Sequence, residues 1–242
     1  MSSAFPAGPI PVADAARVKA RGRRVIDAPI RMFHWLFALA FTGAYLTGDS
    51  EHWQPLHVVL GYSMAGLLAF RLLYGVWGPP QARLAALWRR VAGAGTWLRD
   101  AIANRPRWPQ AQNLLVGSAV LLLLAATLPL VVTGIGTLHE WGGGDSLEDA
   151  HELFGNTMLM LVMAHLGLVV LLSVLRRRNQ ALPMLTGRLA GTGPDLVRSN
   201  RAWLAILLLL AVLAYGGWEW QQAPQGLLGG GSVAAQADKD DD

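Results

Sequence analysis

EDAHELFGNTMLMLVMAHLG, residues 148–167, carries two histidines, His151 and His165, fourteen residues apart in a mostly apolar run. In an α-helix fourteen residues turn through about 1,400° and rise about 21 Å, so both side chains point within about 40° of one direction. One face of one helix therefore presents an imidazole near each end. A single histidine on an apolar helix is explained by a hydrogen bond to a neighbouring helix. Two on one face call for a function, because ionisable groups within a bilayer are costly.

The chain around this stretch has 242 residues, 53% of them hydrophobic, and a mean hydropathy of +0.34. Five apolar segments, at 30–47, 55–77, 114–138, 153–175 and 202–218, approach the roughly 20 residues that cross the hydrocarbon core. LLVGSAVLLLLAATLPLVV and WLAILLLLAVLAYGGW have no polar face to offer water. Pro129, inside the third segment, is tolerated in a membrane helix. The expected class is an all-α integral membrane protein, a four-helix transmembrane bundle with a fifth C-terminal transmembrane helix. The chain divides into a basic N-terminal arm (1–29), the bundle (30–176), a basic connector (177–201), the fifth helix (202–220) and a flexible acidic tail (221–242). No internal repeat is present.

Charge sets the expected orientation. Six Lys/Arg lie in the arm and its junction, six between 78 and 110, and six between 176 and 201. The loops GDSEHWQP and EWGGGDSLEDA have none. The positive-inside rule places the N-terminus and both basic loops in the cytoplasm and the acidic loops and C-terminal tail in the periplasm. A pI near 10.0 thus reflects topology and implies no nucleic-acid partner. In the longer basic loop, Leu84, Leu87, Trp88 and Val91 recur at helical spacing beside Arg83, Arg89 and Arg90, the pattern of a helix lying in the interface. The absence of cysteine excludes disulfides, thiolate chemistry and covalent haem attachment. The N-terminal residues lack the apolar core of a signal peptide.

Four of the six histidines fall on apolar helices or at their ends. With the topology above, His57 and His151 lie near the outer ends of the second and fourth helices. His34 opens the first helix thirteen residues before Thr47, about 20 Å deeper, which nearly matches His165. The four sort into two levels, His57 with His151 outside and His34 with His165 inside. A dinuclear centre would need all its ligands within a few ångströms. A zinc ion would usually take three or four protein ligands at each level. Two neutral imidazoles from facing helices, twice over in an apolar bundle, suit axial ligation of two haem irons. Gly43, Gly61, Gly66, Gly117, Gly134, Gly155 and Gly167 would make room for the macrocycles or for close helix packing. Arg71 follows His57 by fourteen residues, which puts it at the inner level, as a contact for a haem propionate or quinone or as a residue snorkelling to the headgroups. Arg31 could also reach an inner propionate. His52 and His139 read as surface residues of the outer loops.

RVIDAPIRMFHWL (24–36), PLHVVLGYSMAGLLAFRLLYG (55–75), the opening stretch and ALPMLTGRL (181–189) together resemble the bacterial cytochrome b-561 family, which includes the b-type cytochrome subunits of nickel–iron hydrogenases. The resemblance implies two non-covalent b haems in a four-helix bundle, ligated from the first, second and fourth helices at positions matching His34, His57, His151 and His165. It implies an inner-membrane protein that passes electrons between the quinone pool and a periplasmic c-type cytochrome, dehydrogenase or hydrogenase subunit. Two other functions fit the same residues. One is a self-sufficient oxidoreductase passing electrons from a small molecule such as superoxide to quinone; the other is a haem-free anchor. The third helix opens with AQNLLVG and the fourth is followed by RRRN, both departing from the family pattern, and the fifth helix lies beyond the family's usual core.

Overall fold

The computed structural model describes residues 22–103, 108–142, 145–191 and 193–223. The greater part of the basic arm and almost all of the acidic tail lie outside the described residues. Helix α1 spans Ala28–Thr47 and α2 spans Gln54–Trp77, joined through a short 3-10 turn at Glu51–Trp53. The basic loop that follows holds α3 (Leu84–Ala92) and α4 (Ala94–Ile102). Two long helices come next, α5 (Trp108–Leu138) and α6 (Asp145–Leu175). The connector contains a short α7 (Leu182–Thr186), and α8 (Ala202–Gln222) closes the described chain.

Local chemistry explains the helix starts. Asp27 caps α1, its side chain accepting from the Ile30 amide at 3.4 Å, with proline in the first turn. Both long helices begin earlier than their apolar segments do. Pro109 is suited to the first turn of α5, and Asp145 and Glu148 complement the positive N-terminal end of α6. At 31 residues each, they run about 46 Å, beyond the roughly 30 Å hydrocarbon core. The interfacial segment is two short helices in place of one: Leu87 is buried, whereas Trp88, Arg89 and Arg90 are exposed.

Helix α1 packs chiefly against α2, and α5 against α6, while α2 also meets α5. Helix α8 lies along α1 and touches α2. The core joins Ala40, Phe41 and Ala44 of α1 to Met64 of α2, Leu130 of α5 and Met158 of α6. Three of these stand seven residues from histidines: Phe41 from His34, Met64 from His57, and Met158 from both His151 and His165. Seven residues are nearly two full turns and about 10 Å, so Phe41, Met64 and Met158 form an apolar layer between the two histidine levels.

Four elements are long and apolar enough to cross a membrane: Glu51–Trp77, Trp108–Leu138, Asp145–Leu175 and Ala202–Gln222. Helix α1 is not among them, although its 20 residues give it the length, because Arg31, His34 and Trp35 dilute its first turns. Met160, Met163, Leu166 and Val170 on α6 and Ile206, Leu207, Leu210 and Leu213 on α8 are exposed. Such continuous apolar surface belongs against lipid. Exposed tryptophans cluster at helix ends: Trp77, Trp108 and Trp203 at the arginine-rich end, and Trp141, Trp218 and Trp220 at the acidic end.

The arginine-rich end is more ordered than the sequence suggests. Arg23–Arg24 form strand β1, which pairs antiparallel with β2 at Arg188–Leu189. The arm is therefore tied down before α1 begins, and the connector wraps the start of that helix. Arg31 donates to the Leu185 carbonyl at 2.7 Å, and the Trp35 indole to the Met184 carbonyl at 3.1 Å. Gly187 is the hinge: at φ 75°, its carbonyl accepts from the Val25 and Ile26 amides at 2.9 and 3.2 Å. A Cβ there would meet the Ile26 carbonyl oxygen at 2.7 Å. Gly187→Ala should therefore destabilise the fold by about 1–3 kcal/mol, read as a lower unfolding midpoint in detergent. An unchanged midpoint would show that the wrap contributes nothing to stability.

Candidate functional site

His57 sits one turn into α2 and faces the C-terminal end of α1. Its Nδ1 lies 2.8 Å from the Ala44 carbonyl oxygen, one of the carbonyls that a helix end leaves without an intrahelical partner. His151 of α6 approaches α5 in the same way, Nδ1 3.0 Å from the Leu130 carbonyl and 3.3 Å from Thr133 Oγ1. A carbonyl only accepts, so each ring carries its proton on Nδ1 and keeps the lone pair on Nε2. Backbone partners of this kind fix the tautomer and ring direction of metal-ligating histidines. Neither Nε2 has a hydrogen-bond partner among the described residues. The two ring centres are 5.9 Å apart, with planes nearly perpendicular at 89°. Two imidazoles each about 2 Å from one shared metal ion place their ring centres about 6 Å apart.

The second pair lies at the other end of the bundle. His34 of α1 and His165 of α6 are close enough to interact electrostatically. His34 Nδ1 is buried without a hydrogen-bond partner, and no hydrogen bond to His165 occurs among the described residues. Arg31, one turn before His34, likewise keeps a buried Nε without a partner. Arg71 is at the expected depth, but its surroundings are protein: 8% exposed, it donates from Nη1 to the Ala82 carbonyl at 3.1 Å and lies near Asp27 and Tyr74.

Space flanks the acidic-end pair. Gly61 and Gly155 follow His57 and His151 by four residues, on the same faces, and a Cβ on either would meet nothing within 4 Å. Gly134 is the opposite case: a Cβ would come within 2.7 Å of His151 Cε1. Gly134→Val should push the ring off the Leu130 carbonyl and Thr133 hydroxyl while leaving α5 helical. The expected outcome is loss of whatever the acidic-end pair ligates, visible in the absorption spectrum, with the other pair unaffected; an unaltered spectrum would show that ring placement tolerates the change.

His139 and His52 are exposed, though His139 Nε2 is 3.1 Å from the Tyr62 hydroxyl. Among the described residues, no group of three or more His, Cys, Asp or Glu side chains is placed to hold a metal ion. Sequence reasoning missed the carbonyl partners of the histidines, which leave no mark in residue type. It also missed Asp27, 2% exposed, which accepts from the Tyr74 hydroxyl at 2.5 Å and stands 3.9 Å from Arg201 Nη1. The stretches that depart from the b-561 pattern meet each other: Arg176 Nε donates to Gln112 Oε1 at 2.8 Å, and its Nη2 to Asn113 Oδ1 at 3.4 Å.

A model of the prokaryotic cytochrome b561 family matches residues 25–187. The chain belongs to the prokaryotic cytochrome b561 family. No curated protein and no solved structure matches it. The matched region contains all four membrane histidines and ends at Gly187, so α8 lies outside it. Family membership makes this protein a membrane b-type cytochrome of electron transfer, binding b-type haem. The residues fit that group: paired imidazoles with free Nε2 atoms, an orphaned Nδ1 on His34, and open space below Gly61 and Gly155.

Proposed function

We propose that this cytochrome binds two b haems, one between His57 and His151 and one between His34 and His165, and carries electrons across the bacterial inner membrane between quinone and a periplasmic redox partner. The observation that carries the reading is the His57–His151 pair, its ring centres 5.9 Å apart and each Nδ1 held by a carbonyl of the neighbouring helix. The same α6 face presents a second imidazole, His165, fourteen residues on.

When bound, the haems accept and release single electrons. The protein fixes the depth of each iron, raises the basicity of the outer imidazoles through their carbonyl partners, and excludes water with an apolar shell. Phe37, Leu60 and Phe154 are part of that shell. Arg31, one turn before His34 and with an unpartnered Nε, is the better candidate than Arg71 for an inner propionate. Helix α1 completes a five-span topology, covered by α2 on one side and α8 on the other. Its 20 residues reach about 30 Å, the thickness of the hydrocarbon core. The positive-inside rule applied to the arginine-rich loops supports a cytoplasmic N-terminus and a periplasmic acidic end, where a c-type cytochrome, dehydrogenase or hydrogenase subunit would dock.

The test is spectroscopic. Protein produced with ample haem should show reduced b-type Soret and α bands, two haems per chain, and reduction by a soluble quinol analogue. Absence of the bands, or one haem per chain, would refute the dihaem reading; failure of quinol to reduce the bands would remove quinone as the membrane partner.

A further inference from the structure

A cavity of about 370 Å³ opens at the arginine-rich end, and none of the four membrane histidines lines it. Pro79, Pro80 and Gln81 of the α2–α3 turn form one wall, and Arg198, Ser199 and Arg201, just before α8, form the other. The Gln81 amide donates to the Leu196 carbonyl, which joins the walls. Two guanidinium groups and a hydroxyl thus line one hollow in which no carboxylate takes part.

Arg198 carries the available charge: it is exposed and has no hydrogen bond or ion pair among the described residues. Arg201 is 35% exposed and shares its charge with Asp27, whose carboxylate stands 3.9 Å from its Nη1. Arg201 also begins α8, whose first turn has no side-chain cap, so the positive end of a 21-residue helix adds to the field. The depth is marked independently. Trp77 and Trp203, 76% and 66% exposed, each stand two residues from the lining, and exposed membrane tryptophans lie at headgroup level.

We propose that this cavity binds a phosphate group, supplied by an anionic glycerophospholipid of the arginine-rich leaflet. Basic pockets between membrane helices suit such headgroups. The bound phosphate neutralises Arg198, adds a second anionic partner to Arg201, and fastens the start of α8 to the α2–α3 turn. Pro79, Pro80 and Gln81 lie inside the family match and Arg198, Ser199 and Arg201 beyond it, so the site joins the bundle to the segment that follows the match.

The full chain, purified in neutral detergent and stripped of lipid, is offered equal phosphatidylglycerol and phosphatidylcholine, and the retained lipid is counted by native mass spectrometry. Wild type should retain one phosphatidylglycerol in preference to phosphatidylcholine. Arg198→Gln should reduce that retention about fivefold, with Arg198→Lys between. Arg89→Gln, an exposed arginine on α3, should match wild type. Size-exclusion profiles confirm that each variant is folded. A second arm measures the unfolding midpoint in inorganic phosphate. A rise for wild type but not Arg198→Gln, without phosphatidylglycerol retention, supports the phosphate site with the dissolved ion as its source. Equal retention of the two lipids with no effect of inorganic phosphate, unchanged retention in Arg198→Gln, or an equal loss in Arg89→Gln overturns the proposal.

Discussion

If two haems bind as proposed, purified His57→Ala and His151→Ala should each carry one haem in place of two, and the same haem should be missing from both. The reason is geometric: their ring centres are 5.9 Å apart, so each would supply half of the ligand pair that would hold one iron. His34→Ala and His165→Ala should lose the other haem. Total haem by extraction, together with redox titration of what remains, sorts the four variants into two classes of matching potential. The partial controls are informative. Thr133→Val removes a 3.3 Å contact to His151 Nδ1 and the hydroxyl's bonds to the Pro129 and Leu130 carbonyls of its own helix, but it leaves the Leu130 carbonyl on His151, so both haems should stay. Four unlike phenotypes would break the pairing, and with it the assignment of two levels.

The second large effect lies at the other end of the molecule. Asp27→Ala should lower stability by about 3 kcal/mol, the sum of a lost helix cap and a buried hydroxyl left without its acceptor. Asp27 is 2% exposed and caps α1 through the Ile30 amide. Its other oxygen accepts from the buried Tyr74 hydroxyl at 2.5 Å. The ion pair with Arg201, at 3.9 Å and with the arginine 35% exposed, adds little. Asp27→Asn keeps one acceptor oxygen, enough for the Ile30 cap, and replaces the oxygen that accepts from Tyr74 with an amide NH2, so it should cost less than Asp27→Ala. Detergent unfolding curves of the two variants provide the measurement. Equal losses would transfer the effect from hydrogen bonding to charge, and no loss in either would show that α1 is held by its packing alone.

Much of this molecule is legible in residue spacing. The interval from His151 to His165 fixes a shared face whatever surrounds the helix, and hydropathy marks the apolar runs of α2, α5, α6 and α8. The places where reading stops have physical causes. Helix α6 starts at Asp145 because the acidic residues that look like loop also stabilise a helix N-terminus. The wrapped connector is invisible because its contacts run from Arg31 and Trp35 side chains to backbone carbonyls, which every residue possesses. The protein partner of Arg71 is hidden for a related reason. Its depth follows from the helical rise, but its partner, the Ala82 carbonyl, depends on how the chain turns after Gly78. Asp27 reads as a helix cap or an ordinary loop acid, and only the fold brings Tyr74 to it from 47 residues away.

The layer of Phe41, Met64, Leu130 and Met158 has an electrical consequence. Thioether, aromatic and aliphatic groups offer water and protons no foothold, so the middle of the bundle insulates against ions. Electrons tunnel through such matter, and with haems at both levels they would cross it without compensating protons. The levels are about 21 Å apart in a hydrocarbon slab about 30 Å thick, roughly two-thirds of the dielectric. Moving a unit charge across the whole slab involves about 2.3 kcal/mol per 100 mV. Each transfer between the levels would therefore do work with or against the membrane voltage, and the balance of reduced haem in energised vesicles would shift when that voltage is collapsed.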